Sequence, residues 1–424
     1  MIKILQVRNI DSFVESRRQK TSEKDRKTVQ SILNDVRKNG DSAVKKYERK
    51  FNGRKTSQLR VSAKEIKEAR SKISNQEREA IMDMRLALSL QESEYLKILP
   101  SYKYEGDDCR ITKSFTPIPS VGCYIPGGQA RYPSSAVMSI TPAKIVGVKR
   151  IVVVSPPGPD GKIDPLTITA AKLCGATEIY KIGGAQAIGA LAYGTKSIPK
   201  VDKIIGPGGK FVSIAKSLVS DQTAVDMIAG PTELGIIADA SSDPELVALD
   251  LISQAEHSKD TMCFVITQSK PMAKQIQKSI EKLLPGTERI SIIKESISKN
   301  GFIAVCKNQN EIIELANKIA PEHMELMVKN AKTLSKKITG AGLVLIGKNT
   351  PSSASDYVLG TNHILPTNGF GRTRSGLSVL DFLKLQTVVE SSLDYLNYSE
   401  YDLETLTDAE GLPNHYKATE RRLD

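Results

Sequence analysis

Apolar residues near the N-terminus recur at helical spacing within a polar background. Four of them follow Thr21-Ser22-Glu23 at intervals of three or four, which is typical of an amphipathic helix: Val29, Ile32, Leu33 and Val36. Two more helices are predicted to begin at the Ser-x-x-Glu boxes of residues 62–65 and 74–77, because such a pair satisfies free N–H groups of a first helical turn. Apolar residues follow the second box at roughly helical spacing: Ile81, Met84, Leu88 and Leu90.

From about residue 115 the pattern changes to short apolar runs that alternate with helical stretches. The runs are typical of buried strands and end in glycine or proline: VGCYIPGG, RIVVVSPP, EIYKIGG and VDKIIGPGG. The helical stretches between and after them are PLTITAAKLCGA, which begins at an Asp164-Pro165 cap, AQAIGALAYG and FVSIAKSLVS. This alternation predicts a largely parallel sheet with helices on both faces.

A second set of strands lies between about residues 233 and 376: ELGIIADA, MCFVITQ, GFIAV and LVLIG. An Asp243-Pro244 cap opens the helix after the first of these strands. Residues 377–424 are polar, rich in tyrosine and helical in pattern, and they are too few to bury a core alone. The predicted fold class is α/β, with two Rossmann-like parallel sheets, a helical N-terminal segment and a small helical tail.

Composition narrows the class of protein. The chain is 40% hydrophobic and 25% charged, as soluble globular proteins are, and no apolar run approaches the ~20 residues of a membrane span. The N-terminus shows neither a long apolar region nor a small-residue cleavage site. We expect a cytoplasmic protein that has no membrane partner.

Charge and cysteine usage disfavour further classes. The net charge is +12, but segments such as RSKISNQERE mix both signs, and neither an RNA-binding aromatic motif nor a Cys/His finger accompanies the excess. The five cysteines form no CxxC pair and their number is odd, which disfavours a disulfide framework or a thiolate zinc site. We expect no nucleic-acid partner.

Three predicted strands end in glycine clusters that lead into helices, at residues 124–128, 181–189 and 206–209. Such a turn lets the backbone approach a phosphate and directs helix N–H groups toward it. None of the three has the GxGxxG spacing, and glycine in these loops also relieves steric crowding. Together they favour a nucleotide-type ligand, with a purely steric role as the alternative.

The four histidines all have polar neighbours: His257, His323, His363 and His415. Gln254 shares a predicted helix face with His257, and Asp356 precedes His363 by seven residues. Two imidazoles, one carboxylate and one amide oxygen would suit a borderline cation such as zinc. The residues are far apart in sequence, so ordinary core or surface positions stay open as alternatives.

Glu322 lies directly beside His323 in the stretch IAPEHMEL. Neighbours in an extended segment point to opposite faces, whereas both side chains can reach one pocket from a loop. A glutamate and a histidine side by side would offer two bases with different pKa values. The surface of a helix is the simpler alternative for such a polar pair.

The motifs together resemble the histidinol dehydrogenase family. The similar segments follow the family's order between about residues 115 and 415: VGCYIPGG, KIGGAQAIGALAYGT, VDKIIGPGG, DMIAGPTE, DLISQAEHS, APEHMEL, SASDYVLGTNHILPT, GLSVLDFLK and EGLPNH. The resemblance implies an aldehyde-dehydrogenase-like pair of Rossmann-like domains. It also implies the last step of histidine biosynthesis, a four-electron oxidation of L-histidinol through L-histidinal to L-histidine with two NAD⁺.

The resemblance further implies roles for individual residues. Glu322 would activate water, and His323 would be the general base. One zinc ion per subunit would be held by Gln254, His257, Asp356 and His415. Substrate contacts would come from those four residues, His323 and three more: Thr232, His363 and Glu410. The NAD⁺ contacts would be Tyr124, Gln186 and Gly209. The family is a homodimer with a shared active site, so Glu410 and His415 would come from the tail of the other chain.

Three positions depart from the family pattern. Gly209 ends GPGG where asparagine is usual, so the amide side chain expected at the cofactor is missing. Thr232 stands where serine is usual and keeps the hydroxyl, and Met324 replaces a common leucine at similar volume.

We expect four regions along the chain. Residues 1–20 would form a helical N-terminal segment, and residues 21–123 with 233–376 a first α/β domain that carries the zinc and catalytic residues. Residues 124–232 would form the NAD domain, and residues 377–424 would pack on the partner subunit.

Three other functions stay open. The nearest is an NAD- and zinc-dependent dehydrogenase of another amino alcohol. A zinc hydrolase with Glu322 as water activator would lack the HExxH motif and would not need three glycine turns. A basic binding protein without enzyme activity would leave the proposed zinc set unexplained.

Overall fold

The computed structural model describes residues 1–18, 21–53, 58–106, 108–127, 131–228 and 230–423. The predicted glycine turn at 124–128 therefore ends at Gly128, outside the described residues. The strands are β1 Lys3–Leu5, β2 Tyr102–Glu105, β3 Cys109–Pro117, β4 Ser120–Tyr124, β5 Arg150–Ser155, β6 Glu178–Lys181, β7 Lys203–Ile205, β8 Ala224–Val225, β9 Glu233–Ala238, β10 Met262–Thr267, β11 Phe302–Val305, β12 His323–Met327, β13 Leu343–Ile346 and β14 Leu383–Ser391.

The α-helices are α1 Ile10–Arg17, α2 Glu23–Asn39, α3 Asp41–Asn52, α4 Ala63–Ser71, α5 Asn75–Lys97, α6 Pro133–Ile145, α7 Pro165–Cys174, α8 Gly184–Tyr193, α9 Lys210–Val219, α10 Pro244–Ala255, α11 Lys270–Leu283, α12 Ile290–Lys299, α13 Gln309–Ile319, α14 Ala331–Ser335, α15 Ser352–Tyr357, α16 Leu393–Tyr398, α17 Glu400–Ala409 and α18 Pro413–Leu423. Short 3₁₀ turns lie at Leu284–Gly286, Phe370–Arg372 and Val379–Phe382.

The larger sheet has six parallel strands in the order β1-β11-β10-β9-β12-β13. Two later strands lie on each side of β9, as in a doubly wound Rossmann-like sheet. Strands β9 to β12 are buried almost throughout. This burial on both faces explains why several of them are continuous apolar runs rather than alternating patterns.

A second parallel sheet has five strands in the order β6-β5-β4-β7-β8. The chain leaves β4 toward β5 and β6, and then returns to β7 on the other side of β4. A crevice therefore forms at the carboxyl ends of β4 and β7, which is where doubly wound sheets bind ligands. The predicted α/β class with two parallel sheets is confirmed.

Local helix signals gave correct predictions. Both Ser-x-x-Glu boxes are formed, at the N-termini of α4 and α5, and Asp164 and Asp243 cap α7 and α10. All four aliphatic residues assigned to the first long helix are buried in α2. The apolar residues after the second box lie on α5 as expected, although the side chain of Leu90 is 62% exposed.

The grouping of the N-terminal region differs from the expected one. Helices α2 to α5 pack on helices α6 to α9 of the five-stranded sheet rather than on the six-stranded sheet, and their apolar faces join that core. Strand β4 is central in the five-stranded sheet, so the expected boundary after residue 123 cuts a strand. The first residues are not wholly helical either, since β1 pairs with β11 of the six-stranded sheet.

The C-terminal region was predicted to be helical, and that is only partly correct. It begins with the nine-residue strand β14, which pairs antiparallel with β3 in a ribbon of three strands. All but the first residue of β14 are exposed. Helices α16 to α18 follow, and none of the three has a buried apolar residue. This tail contributes little to the cores of its own chain.

Candidate active site

His323 is the first residue of β12, and Glu322 lies in the bend between the αL residue Ala320 and that strand. A helix surface is not the correct location, because His323 pairs with Leu234 of β9 and with Leu343 of β13. His323 is 2% exposed and Glu322 is 7% exposed. His323 Nδ1 lies 3.9 Å from Glu322 Oε2, so the neighbours converge on one site at the amino end of the central strands.

Asp356 completes this buried group. Its Oδ1 lies 3.5 Å from His323 Nε2, which is long for a hydrogen bond. Both ring nitrogens of His323 and this carboxylate oxygen are buried without a hydrogen-bond partner among the described residues. Buried polar atoms without partners are costly, so their convergence is typical of a site built for a ligand.

Glu322 and His323 differ in their pKa values. Burial raises the pKa of Glu322 to about 7, although the charge of His323 opposes the rise. Burial would lower the pKa of His323, but Asp356 and Glu322 outweigh that effect and raise the pKa to about 9. The His323 interactions hold the pKa of Asp356 below its ordinary value in spite of burial. Strongly perturbed groups of this kind cluster at functional sites.

Gln254 and His257 reach the same neighbourhood from α10. The Gln254 side chain is 2% exposed, its Oε1 lies 3.4 Å from the hydroxyl of Ser352 at the start of α15, and its Nε2 has no hydrogen-bond partner in the described ranges. His257 follows the helix and is exposed, with Nδ1 3.2 Å from the Gln254 carbonyl. The charge of His257 acts on the pKa of Asp356, so the structure brings these three predicted ligands together.

These residues fit a cation, but one chain does not supply the whole predicted set. Asp356 Oδ1 is buried without a hydrogen-bond partner in the described residues, and a carboxylate oxygen is a ligand that a borderline divalent cation accepts. Gln254 could bind only through Oε1, which contacts the Ser352 hydroxyl, because its unpartnered Nε2 is a hydrogen-bond donor. In the described part of the chain, however, no cluster of three or more His, Cys, Asp or Glu side chains could hold a metal ion. His415 and Glu410 are exposed on the tail and make no recorded side-chain contact with the buried group.

Other predicted substrate residues surround the pair. His363 Nδ1 lies 2.8 Å from the Asp356 carbonyl, and burial lowers the pKa of His363. Thr232 immediately precedes β9, and its carbonyl accepts the N–H of Met262 at 3.0 Å. The adjacent Glu233 donates its N–H to Glu322 Oε2 at 3.0 Å, which places Thr232 at the edge of the site.

Sequence reasoning missed two residues that support the pair. Burial raises the pKa of Glu233 to about 8, and the GPTE motif contained this residue without indicating its role. Arg18, at the end of α1, donates to the carbonyls of Ile319 at 3.1 Å and Lys318 at 2.8 Å. Nothing local in the sequence indicates that Arg18 reaches the end of α13, three residues before Glu322.

The crevice of the five-stranded sheet contains two of the three predicted cofactor residues. Tyr124 ends β4, and Gly206 follows β7 beside it with φ +106°. A Cβ at Gly206 would lie 2.2 Å from the Tyr124 carbonyl oxygen, so only glycine permits this approach. Gly209 begins α9 and has nothing within 4 Å of a built Cβ, which leaves room for a ligand at this turn.

The glycine turn before α8 is already occupied by a side chain. Glu48 of α3 is 1% exposed and accepts the N–H of Gly183 at 2.9 Å and Gln186 Nε2 at 2.8 Å. A carboxylate thus lies where a phosphate would meet this helix N-terminus. Gln186 Oε1 is buried without a hydrogen-bond partner in the described segments, and the Tyr124 hydroxyl accepts the N–H of Gly184 at 3.1 Å.

The two sheets meet near Glu322 and His323. Asn362, next to His363, donates to the Met138 carbonyl of α6 at 2.9 Å. Burial raises the pKa of Tyr357, and the charges of Asp356, Glu256 and Tyr132 add to the rise. Tyr132 belongs to the segment between β4 and α6. The carboxyl end of β4 in the five-stranded sheet therefore lies close to Asp356 beside the six-stranded sheet.

No helix within the described ranges is long and apolar enough to cross a bilayer.

Comparisons with known proteins agree with this architecture. A family model for histidinol dehydrogenase matches residues 15–423. The histidinol dehydrogenase of Methanococcus maripaludis is 42% identical over 398 residues, which are 94% of this chain and 93% of that protein. The Bacillus licheniformis protein of the same name is 39% identical over 402 residues, 95% of this chain and 94% of its own.

A solved structure supports the same relationship. The crystal structure of histidinol dehydrogenase from Elizabethkingia anophelis matches with a TM-score of 0.92 at 33% identity. The match covers 100% of this chain and 98% of that one, so it includes both sheets, the ribbon and the tail. The chain therefore belongs to the histidinol dehydrogenase family of oxidoreductases.

Proposed function

We propose that the chain oxidises L-histidinol in two successive steps, through L-histidinal to L-histidine, and reduces two NAD⁺. The observation that carries the proposal is the buried pair at the start of β12, whose side chains lie 3.9 Å apart beside Asp356. Two successive oxidations at one carbon need two proton acceptors, one for the alcohol and one for the water that adds to the aldehyde. Membership of the family supports L-histidinol as the substrate.

His323 is proposed to accept the proton of the substrate hydroxyl while hydride leaves the adjacent carbon. The raised pKa of His323 comes from its carboxylate neighbours Asp356 and Glu322. A cation bound at Asp356 would oppose a proton on the imidazole. That competition supports a neutral His323 as base in the loaded site.

Glu322 is proposed to activate the water that adds to the aldehyde. Burial raises its pKa to about 7, close to the ambient pH at which a general base works best. The Glu233 N–H holds one of its oxygens at 3.0 Å, which leaves the other to receive a proton. Removal of a second hydride from the hydrated aldehyde then gives the acid.

Zinc is proposed to be held by Gln254, His257 and Asp356 of one chain and by His415 of another. When bound, zinc would coordinate the amine and imidazole nitrogens of the substrate and so orient the carbon that reacts. The unpartnered Asp356 Oδ1 supports this set, and so does Gln254 Oε1, whose one side-chain contact within the described residues is the Ser352 hydroxyl at 3.4 Å. Thr232, His363 and Glu410 are proposed to contact the substrate.

NAD⁺ is proposed to bind in the crevice between β4 and β7, where it would supply the hydride acceptor. Tyr124 and Gly209 line that crevice, and Gln186 is proposed to act from beneath it, since its side chain is buried against Glu48. This assigns the cofactor to the five-stranded unit and the metal chemistry to the six-stranded unit.

A homodimer with a shared site is the proposed assembly. The tail leaves large apolar residues exposed, among them Val389 at 60%, Leu406 at 61% and Tyr398 at 86%. Exposed apolar patches of this kind mark interaction sites. A second copy would cover them and would bring Glu410 and His415 to the site. The cytoplasmic location stays a prediction from sequence.

The purified full-length chain tests the proposal directly. L-Histidinol with NAD⁺ and zinc should give NADH and L-histidine, and the activity should disappear with EDTA and return with added zinc. Activity on another amino alcohol but not on histidinol would favour a related dehydrogenase instead. Activity that survives complete metal removal would contradict the zinc site.

A further inference from the structure

The proposed site takes residues from α10, β12 and α15. Each of these elements carries a second polar residue on the same face as its site residue. The spacing is four residues on a helix and two on a strand. We call these second residues the support residues. They are Asp250 on α10, Glu325 on β12 and Ser352 on α15, and the site residues beside them are Gln254, His323 and Asp356 in the same order. The three support residues therefore form a layer beneath the site.

Glu325 connects the strand of this layer to α15. It is 1% exposed, and its Oε1 accepts the N–H of Ser352 at 2.6 Å. Ser352 is the first residue of α15, where helix N–H groups have no partner within the helix. The bond therefore fixes where α15 begins relative to β12, and Asp356 follows one turn later.

Ser352 continues the connection to α10. Its side chain is fully buried, and its hydroxyl lies 3.4 Å from Gln254 Oε1. Gln254 makes no other recorded side-chain hydrogen bond in the part of the chain that the structure describes. The contact from Ser352 thus orients an amide that nothing else anchors.

The carboxyl of Glu325 interacts with that of Asp250 in this layer. Burial, and then the charge of Asp250, raise the pKa of Glu325, and burial raises the pKa of Asp250. Two carboxyls this close hold a proton between them rather than two charges. One proton shared by the pair leaves one negative charge on it rather than two, and the bond that Glu325 accepts from Ser352 is what holds α15 in place.

We propose that Glu325 is a positioning residue that aligns Gln254 and Asp356 for the cation. The inference rests on the proposed zinc site. Residues behind metal ligands orient them, and their loss typically weakens metal binding by about 10- to 100-fold. Glu325 acts here through one backbone N–H and one hydroxyl, so an uncharged hydrogen-bond acceptor of the same shape should replace it.

The test compares Glu325→Gln with Glu325→Met in the full-length protein. Zinc affinity is measured by competition with a chromophoric chelator, without substrate, and NADH formation is measured separately. Glu325→Gln keeps an acceptor for Ser352 and should bind zinc within about threefold of wild type. Glu325→Met removes the acceptor and should bind zinc about 10-fold or more weakly.

Glu92→Met is the matched control. Glu92 is also buried, at 2% exposed, and accepts one backbone N–H, from Val379 at 2.7 Å, but it lies on α5 outside the layer. The Glu92→Met protein should lose thermal stability, as the Glu325→Met protein does, but should bind zinc as tightly as wild type. If Glu325→Met does not fold, Ser352→Ala is measured instead and should also weaken zinc binding, because it deletes the hydroxyl beside Gln254.

Two outcomes would overturn the proposal. Wild-type zinc affinity in Glu325→Met, or in Ser352→Ala where the first variant does not fold, would show that the layer does not position the ligands. Equal weakening in the Glu92→Met control would show a general loss of stability. A wild-type chain that binds no zinc would instead contradict the metal site itself, so the two failures are distinguishable.

Discussion

Gly209 stands where the resemblance to the family leads us to expect asparagine. It begins α9 with φ −64°, an ordinary value for any residue, and a built Cβ meets nothing within 4 Å. Asparagine is also the better residue at a helix N-terminus. The fold therefore does not require glycine at this position. We expect the missing side chain to affect the binding of a ligand in the crevice between β4 and β7.

We predict that Gly209→Asn lowers the KM for NAD⁺ and leaves the melting temperature unchanged or slightly raised. The added amide would offer the cofactor a hydrogen-bonding side chain that glycine lacks. Steady-state kinetics at varied NAD⁺ measures the first effect and thermal unfolding the second. Gly208→Asn is the contrasting control, because its Cβ would lie 2.3 Å from Val212 and should destabilise the protein. An unchanged KM in Gly209→Asn would remove position 209 from the cofactor site.

At the scale of single residues, the sequence indicated which side chains could carry chemistry. It did not indicate how the fold brings those side chains together. The adjacency of Glu322 and His323 was visible, and the resemblance gave them roles. Their burial depends on β9 and β13 on either side of β12, which is long-range information. Glu325 was not singled out because IAPEHMEL was not recognised as a strand, and only a strand places it on the same face as His323.

A buried ion pair supports the turn between β7 and α9. Lys216 and Asp226 are 2% exposed each and form a salt bridge. Lys216 donates to the Gly206 carbonyl at 2.9 Å, and Asp226 accepts the Gly206 N–H at 2.8 Å. The pair thus holds both polar groups of the residue that makes the crevice.

We predict that Lys216→Met destabilises the protein by about 3–5 kcal/mol, because it leaves Asp226 buried without its cation. The KM for NAD⁺ should rise in the protein that stays folded. Urea unfolding gives the free energy. The control is Lys210→Met, which breaks an exposed pair with Asp25 and should cost about 1 kcal/mol or less. Equal effects of the two substitutions would mean that the buried pair has no special part in the turn.

Elements were predictable where their signals were local. Capping boxes and Asp-Pro caps located α4, α5, α7 and α10, since these signals act within one helical turn. Strand β12 was missed because a histidine and a glutamate interrupt its apolar pattern in a strand that is nevertheless fully buried. Strand β14 was missed because it is exposed on both faces, so its polar residues resemble those of a helix or loop.

On the scale of the whole molecule, one chain does not bring all of the proposed zinc and substrate residues together. The buried ones belong to the six-stranded unit, while Glu410 and His415 stay exposed on a tail with little core of its own. No sequence pattern could show which surface the tail covers, because that depends on a second molecule. A symmetric dimer would exchange the tails between equivalent sites.

Subunit mixing tests this exchange. Glu322→Gln and His415→Ala chains should each be nearly inactive alone. After co-refolding in equal amounts, half of the dimers are mixed, and each mixed dimer has one site with neither lesion. We predict recovery of about a quarter of wild-type activity. No recovery, with mixed dimers proven by differential tags, would show that each site is built from one chain.

The central claim is that two neighbouring bases serve two successive oxidations in one pocket. The most direct measurement is NADH formed per histidinol in a single turnover, with enzyme in excess over substrate and zinc and NAD⁺ saturating. Wild type should form two NADH, whereas Glu322→Gln should form one in the fast phase and stall at the aldehyde. Two NADH at the wild-type rate from Glu322→Gln, or none at all, would contradict the division of work between Glu322 and His323.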